Sequence, residues 1–243
     1  MGEPIKISSN KINTNWVNKD SMPSLRLKQL AVEEDICPLR GTSIMINPGH
    51  GASGRGERPF GATAWLNKKK YYEKDLNDSV ATKLAKNLKQ MGADVIYVDN
   101  TPLGEIQQLQ NKLKPDLFVS IHHDAQANYG KTLRGETVYS YAPSSEKRKN
   151  NKNSYEKSKK AAEFINEELK QDSTVPNHKP RQNSYKVLNV DKKIPSILVE
   201  VGYMSNPTEL NILTTPEYQS TAAKNIANGC RKFLLSEKPS PLK

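Results

Sequence analysis

Apolar positions group into short runs separated by polar, glycine- and proline-rich stretches. Ser43-Ile44-Met45-Ile46-Asn47 is an apolar run stopped by Pro48-Gly49, the pattern of a buried strand that delivers a loop. Across residues 72–91, Leu76, Val80, Leu84 and Leu88 recur at every fourth position and Gly92 follows. This spacing predicts an amphipathic helix ended by a C′ glycine. Val95-Ile96-Tyr97-Val98, Leu117-Phe118-Val119-Ser120-Ile121 and Thr137-Val138-Tyr139-Ser140-Tyr141 read as strands, with a short helix over 105–113 between the first two. A helix carrying Ala161, Phe164, Ile165 and Leu169 precedes two further strands, Tyr185-Lys186-Val187-Leu188 and Ser196-Ile197-Leu198-Val199-Glu200-Val201. Asn206-Pro207-Thr208-Glu209 has the cap, first-turn proline and N3 acid of a helix start, and a last helix is expected over 216–235. Strands alternating with helices predict one α/β domain, a mostly parallel twisted sheet of about six strands with helices on both faces.

Residues 1–40 show no periodicity and read as a polar extension, 41–236 as the domain and 237–243 as a tail. The glycine-rich segment 51–67 reads as a long loop. The basic stretch 144–160 is too polar to bury and reads as a solvated loop.

Charge adds a partner class. Lys and Arg total 37 against 26 Asp and Glu, a net charge of +11, which suits an anionic partner such as nucleic acid, acidic lipid or an anionic cell wall. No basic and aromatic nucleic-acid module is present, so a nucleic-acid partner is not expected. No apolar run approaches the roughly 18 residues of a membrane span, and the start Met1-Gly2-Glu3-Pro4-Ile5-Lys6 shows no hydrophobic stretch of a signal peptide, as expected also where such a signal has been trimmed, and has Lys6 where a myristoylation motif needs Ser or Thr. The two cysteines, Cys37 and Cys230, form no C-x-x-C pair; buried free thiols and one disulfide both remain open.

A hydrolytic zinc site needs about three N or O ligands on rigid elements and an open position for water. His50 follows the first strand and His122 ends another, so both imidazoles emerge at strand carboxyl ends, where open α/β sheets place their ligands. Glu73 opens the first helix, where the dipole favours a carboxylate. Glu200 ends the apolar run Ile197-Leu198-Val199, where an unpaired carboxylate is costly to bury unless it does chemistry. A carboxylate of raised pKa beside a metal is suited to act as general acid and base.

Four segments then occur in one order: Asn47-Pro48-Gly49-His50-Gly51, Tyr72-Glu73-Lys74-Asp75-Leu76-Asn77, Phe118-Val119-Ser120-Ile121-His122 and Leu198-Val199-Glu200-Val201-Gly202-Tyr203-Met204-Ser205-Asn206. Together they resemble the zinc-dependent N-acetylmuramoyl-L-alanine amidases of cell separation, spore cortex and phage lysis, over about residues 41–236. The resemblance implies that His50, Glu73 and His122 bind zinc and that Glu200 is the catalytic acid/base. It further implies cleavage of the amide between N-acetylmuramic acid and L-alanine of peptidoglycan, in the periplasm or the extracellular wall; a monomer is expected. The sequence departs from the family pattern in a short connection after Val98 and an unusual 51–67 loop.

His123 adjoins His122, but neighbouring side chains on a strand point oppositely. His122 is therefore the expected ligand and His123 a substrate contact or an ordinary hydrogen-bonded histidine. Asn77 shares a helix face with Glu73 and is a candidate to hold its carboxylate. Arg181 has the fork geometry to pair with a stem-peptide carboxylate, and His178 reads as a surface residue. The stretch 126–156 has no apolar helical face, so no helix is expected to plug the site. Competing readings are a zinc peptidase cutting within the stem peptide with the same four residues, and a non-catalytic wall-binding module. The basic surface is expected to hold the protein on an anionic wall, with retention weakened by salt.

Overall fold

In the computed structural model the described residues are 37–52, 58–126, 132–141, 152–172, 174–188 and 194–238. The eight strands described are β1 (Ser43–Pro48), β2 (Thr63–Leu66), β3 (Lys69–Tyr72), β4 (Asp94–Tyr97), β5 (Leu117–Asp124), β6 (Thr137–Tyr141), β7 (Arg181–Asn183) and β8 (Ser196–Tyr203). The helices are α1 (Glu73–Gln90), α2 (Leu103–Leu113), α3 (Lys152–Leu169), α4 (Pro207–Leu213) and α5 (Pro216–Glu237).

Six strands form one sheet in the order β4-β1-β5-β8-β6-β7. All its neighbours run parallel except β6 against β8. The central strands are apolar on both faces because both are covered. Ile44, Ile46, Leu117, Val119, Ile121, Ile197, Val199 and Val201 enter the larger core with Leu76, Val80 and Leu84 of α1, Ile165 of α3 and Ile226 and Phe233 of α5. The alternate residues Met45 and Phe118 turn to the other face and pack with Ile106 of α2, while Leu198 packs with Tyr139 and Leu188. Period-two alternation thus sends His122 and Glu200 to the α2 face with Phe118 and Leu198, and His123 to the α1 face.

Local signals explain the boundaries. Gly92 takes φ +88 behind α1, as a C′ glycine does. The Asn206 side chain accepts hydrogen bonds from the Thr208 and Glu209 amides, with Pro207 in the first turn of α4. Leu39 is fully buried in the larger core. Cys37 and Cys230 are both free thiols, and burial pushes the Cys230 thiol up to about 12.

Three expectations differ from the structure. Tyr185-Lys186-Val187-Leu188 is not a strand: Lys186–Leu188 is a 3₁₀ turn, whose apolar residues pack on the sheet surface. The strand lies earlier, at Arg181–Asn183, a polar edge pairing with β6. Residues 152–160 are not loop but the first half of α3, because Ser158 and Ala161 face inward while Lys159 is exposed and Lys157 and Lys160 pair with Glu237. Within 51–67, β2 begins at Thr63 and pairs with β3 as an antiparallel hairpin. Of the expected plug-free stretch 126–156, residues 127–131 and 142–151 lie outside the described residues. Among the described residues no helix is long and apolar enough to cross a membrane.

Candidate metal centre and its cleft

Three elements bring three side chains together at the carboxyl end of the sheet. β1 ends at Pro48, and His50 follows with φ 72, a left-handed conformation that histidine tolerates better than most residues. β5 carries His122 near its end, and α1 begins at Glu73. His50 Nε2 lies 3.0 Å from Glu73 Oε2 and His122 Nδ1 lies 3.0 Å from Glu73 Oε1. One ligand atom from each of the three falls within 4.8 Å of the others.

The partners of these groups decide what the cluster can hold. His50 Nδ1 is 2.8 Å from the Arg58 carbonyl; a carbonyl only accepts, so Nδ1 carries the proton and Nε2 turns a lone pair to the Glu73 carboxylate. A lone pair facing a carboxylate is repulsive unless a proton or a metal cation lies between them. Two imidazole nitrogens and a carboxylate oxygen are a donor set suited to catalytic zinc, so the residues fit such an ion. Without an ion, protons take that place. Burial alone would raise the Glu73 carboxyl, but the His122 and His50 hydrogen bonds outweigh it and hold the carboxyl well below its usual range. Burial would lower His50, yet its hydrogen bond to Glu73 raises it.

Two glycines make the convergence possible. A Cβ on Gly49 would stand 2.2 Å from the His122 ring, and one on Gly61 would stand 2.5 Å from both Glu73 Oε2 and the His50 ring. The Glu73 carboxylate is also anchored by the Ala62 amide at 2.8 Å.

Asn77 and His123 form the layer beneath. Asn77 is fully buried; its Nδ2 donates to the Gly49 carbonyl at 3.0 Å and lies 3.5 Å from Glu73 Oε1. Its Oδ1 accepts from His123 Nδ1 at 2.7 Å. Burial pushes the His123 imidazole down to about 4, so the ring is neutral with its proton on Nδ1. His123 therefore supports Asn77 from the α1 side.

Glu200 sits beside His122 in the parallel pairing of β5 with β8, in a cleft of about 450 Å³ shared with His50, Glu73, Asp124 and Tyr185. Its side chain is buried and, among the described residues, Oε2 has no hydrogen-bond partner. Burial, then the charges of Asp124 and Glu73, push its carboxyl well above the usual carboxylate range. Such a displaced carboxyl in a cleft makes Glu200 a candidate functional group on physical grounds.

Asp124 was not singled out in the sequence, although alternation from His122 places it on the same face. Arg181, by contrast, is exposed on the edge strand β7 and interacts with the Tyr139 hydroxyl; it does not line the cleft. His178 is half-buried and donates from Nε2 to the Arg134 carbonyl at 2.7 Å. Glu209, read in the sequence as the N3 acid of a helix start, is also a structural tie that the sequence did not show: fully buried, it accepts from the Tyr203 amide at 2.6 Å and the Gly135 amide at 2.9 Å.

Comparison with known proteins adds the family and the fold. The profile of the family described as N-acetylmuramoyl-L-alanine amidase matches residues 44–232. The chain is 28% identical over 199 residues to the probable cell wall amidase LytH of Staphylococcus aureus, covering 81% of this chain and 60% of that protein. It thus spans about 60% of the length of this curated relative. An N-acetylmuramoyl-L-alanine amidase from Clostridium difficile 630 superposes with a TM-score of 0.67 at 28% identity, covering 81% of this chain and 98% of that one. The amidase AmiC2 of Nostoc punctiforme gives 0.64 at 27% identity, with coverage of 79% and 97%. With its profile match running from β1 into the last helix, the chain belongs to the N-acetylmuramoyl-L-alanine amidase family.

Proposed function

We propose that the protein hydrolyses the amide between N-acetylmuramic acid and the L-alanine of peptidoglycan stem peptides, with His50, Glu73 and His122 as zinc ligands and Glu200 as acid/base. One observation carries the reading: three metal-ligating atoms within 4.8 Å of one another share a cleft with a buried carboxyl that has an unpartnered oxygen. Zinc, when bound, supplies a Lewis acid that polarises the amide carbonyl and lowers the pKa of water beside it.

The protein's own groups supply the rest. Glu200 Oε2, free of competing hydrogen bonds among the described residues, takes a proton from the attacking water and returns it to the leaving amide nitrogen. Its raised proton affinity makes the ionised carboxylate a stronger base. His50 is held in one tautomer by the Arg58 carbonyl, and Glu73 by the Ala62 amide, so the donors need little reorganisation. The substrate places the activity at the cell wall, as the relative's description as a cell wall amidase supports.

Mass spectrometry of material released from purified sacculi tests the reading. Free stem peptides beginning with L-alanine, lost on chelation and restored by zinc, are expected. Cuts within the stem peptide would establish a peptidase instead, and no release by the zinc-loaded protein would overturn the enzymatic reading.

A further inference from the structure

The β2–β3 hairpin is not used by the chemistry above, yet it stands beside it. Its turn, Asn67-Lys68, has both φ angles positive at 49 and 63, the geometry of a two-residue I′ hairpin whose twist matches its strands. The register pairs Thr63 with Tyr72, Ala64 with Tyr71, Trp65 with Lys70 and Leu66 with Lys69. Directly paired residues share a face, so the hairpin has two different surfaces. Ala64, Leu66 and Tyr71 pack on the larger core, which leaves Thr63, Trp65, Lys70 and Tyr72 on the outer face.

That outer face is aromatic. Trp65 is 66% exposed and Phe60, just before the hairpin, is 56% exposed. The Phe60 and Tyr72 rings lie 5.0 Å apart at 39°, and Lys70 Nζ sits 5.1 Å from the Tyr72 ring centroid. Phe60, Tyr72, Lys70 and Trp65 therefore form one continuous strip. Large aromatics facing water at such exposure mark a binding surface more often than a stability device.

Position identifies the occupant. Tyr72 immediately precedes Glu73, the Phe60 carbonyl accepts from the Lys74 amide at 3.3 Å, and the Ala62 carbonyl from the Glu73 amide at 2.9 Å. The strip is thus fixed to the backbone that carries the candidate metal ligand, next in the chain to Gly61, Ala62 and Glu73, which line the cleft. Pyranose rings present flat C–H faces that stack on aromatic rings while their hydroxyls stay in water, and a lysine ammonium between rings pairs with a sugar-borne carboxylate. Lipid or a partner protein would not require such continuity with the cluster. A glycan whose peptide is cut at that cluster must pass within a few ångströms of it.

We propose that Phe60, Trp65, Lys70 and Tyr72 form a saccharide platform that holds the glycan strand of peptidoglycan beside the metal cleft; the assignment rests on the amidase reading. Trp65 and Phe60 stack on sugar rings, and Lys70 pairs with the lactyl carboxylates of muramyl residues whose peptide has already been released.

The test uses the full chain, wild type, Trp65→Ala, Trp65→Phe and Lys70→Gln, with peptide-free glycan strands as the probe, so that binding is read without any amide to cut. Trp65→Ala is expected to weaken strand binding about tenfold, the scale for truncating an aromatic anchor. Trp65→Phe should restore most of the loss, and Lys70→Gln should remove the salt-dependent part. The ratio of kcat/KM on sacculi to that on a single-sugar muramyl peptide should fall about tenfold in Trp65→Ala. Equal strand binding by wild type and Trp65→Ala overturns the platform, as does Trp65-dependent binding to anionic lipid vesicles without strand binding. Strand binding through Trp65 with no stem-peptide release overturns the amidase reading while the platform stands; release with an unchanged ratio does the reverse.

Discussion

Glu136 is buried to 1% exposure just before β6, and its surroundings define its protonation. Tyr218 Oη lies 2.8 Å from Glu136 Oε1 and 2.7 Å from the Val201 carbonyl. A hydroxyl has one proton and a carbonyl only accepts, so that proton goes to Val201 and Oε1 must itself carry one to bond Tyr218. Asn177 Nδ2 donates to Oε2 at 3.3 Å. Burial first, aided by the charges of Asp172 and Glu209, pushes the carboxyl from 4.5 up to about 8. The folded state therefore keeps a proton that the unfolded chain gives up above 4.5. The stabilisation is complete below that pH and is lost as pH rises through about 8. The slope cannot exceed about 1.4 kcal/mol per pH unit, so the window amounts to a few kcal/mol. Glu136→Gln mimics the protonated acid, its amide donating to Tyr218 and its oxygen accepting from Asn177. Urea unfolding from pH 5 to 9 should show wild type and variant nearly equal at the acid end. The variant should then become more stable by a few kcal/mol at the alkaline end. Parallel stability profiles across that range would refute the argument.

Two further substitutions probe the layer around the candidate ligands. Asn77→Ala leaves the Gly49 carbonyl and His123 Nδ1 without their partner, and zinc affinity by chelator competition should fall about 10- to 100-fold; unchanged affinity would mean that Asn77 merely packs. Gly49→Ala drives a Cβ to 2.2 Å from the His122 ring, so zinc stoichiometry and the visible spectrum of the cobalt-substituted protein should both be disturbed. A spectrum identical to wild type would show that His122 is not a ligand.

Much of this was legible in the sequence because burial on two faces forces continuous apolar runs. Ile44 to Ile46, Leu117 to Ile121 and Ile197 to Val201 read directly as strands, and strand alternation separated His122 from His123. What failed to show lacked that physical signature. Arg181–Asn183 is a polar edge strand with no apolar face, while the apolar Val187 and Leu188 next to it pack from a 3₁₀ turn. The β2–β3 hairpin hides its alternation because its outward positions hold Trp65 and Tyr72, so both faces read as apolar. The Asn77–His123 support was only half visible: spacing put Asn77 on the Glu73 face, but its bond to His123 needs two elements brought together.

The central claim is that Glu200 transfers the proton while His50, Glu73 and His122 hold the zinc. The most direct measurement pairs zinc content with stem-peptide release from sacculi for wild type and Glu200→Gln. The account predicts about one zinc per chain in both, with release slowed about 10²- to 10⁴-fold in the variant, the range for loss of a general acid/base. Release within a few-fold of wild type, with zinc retained, would contradict it.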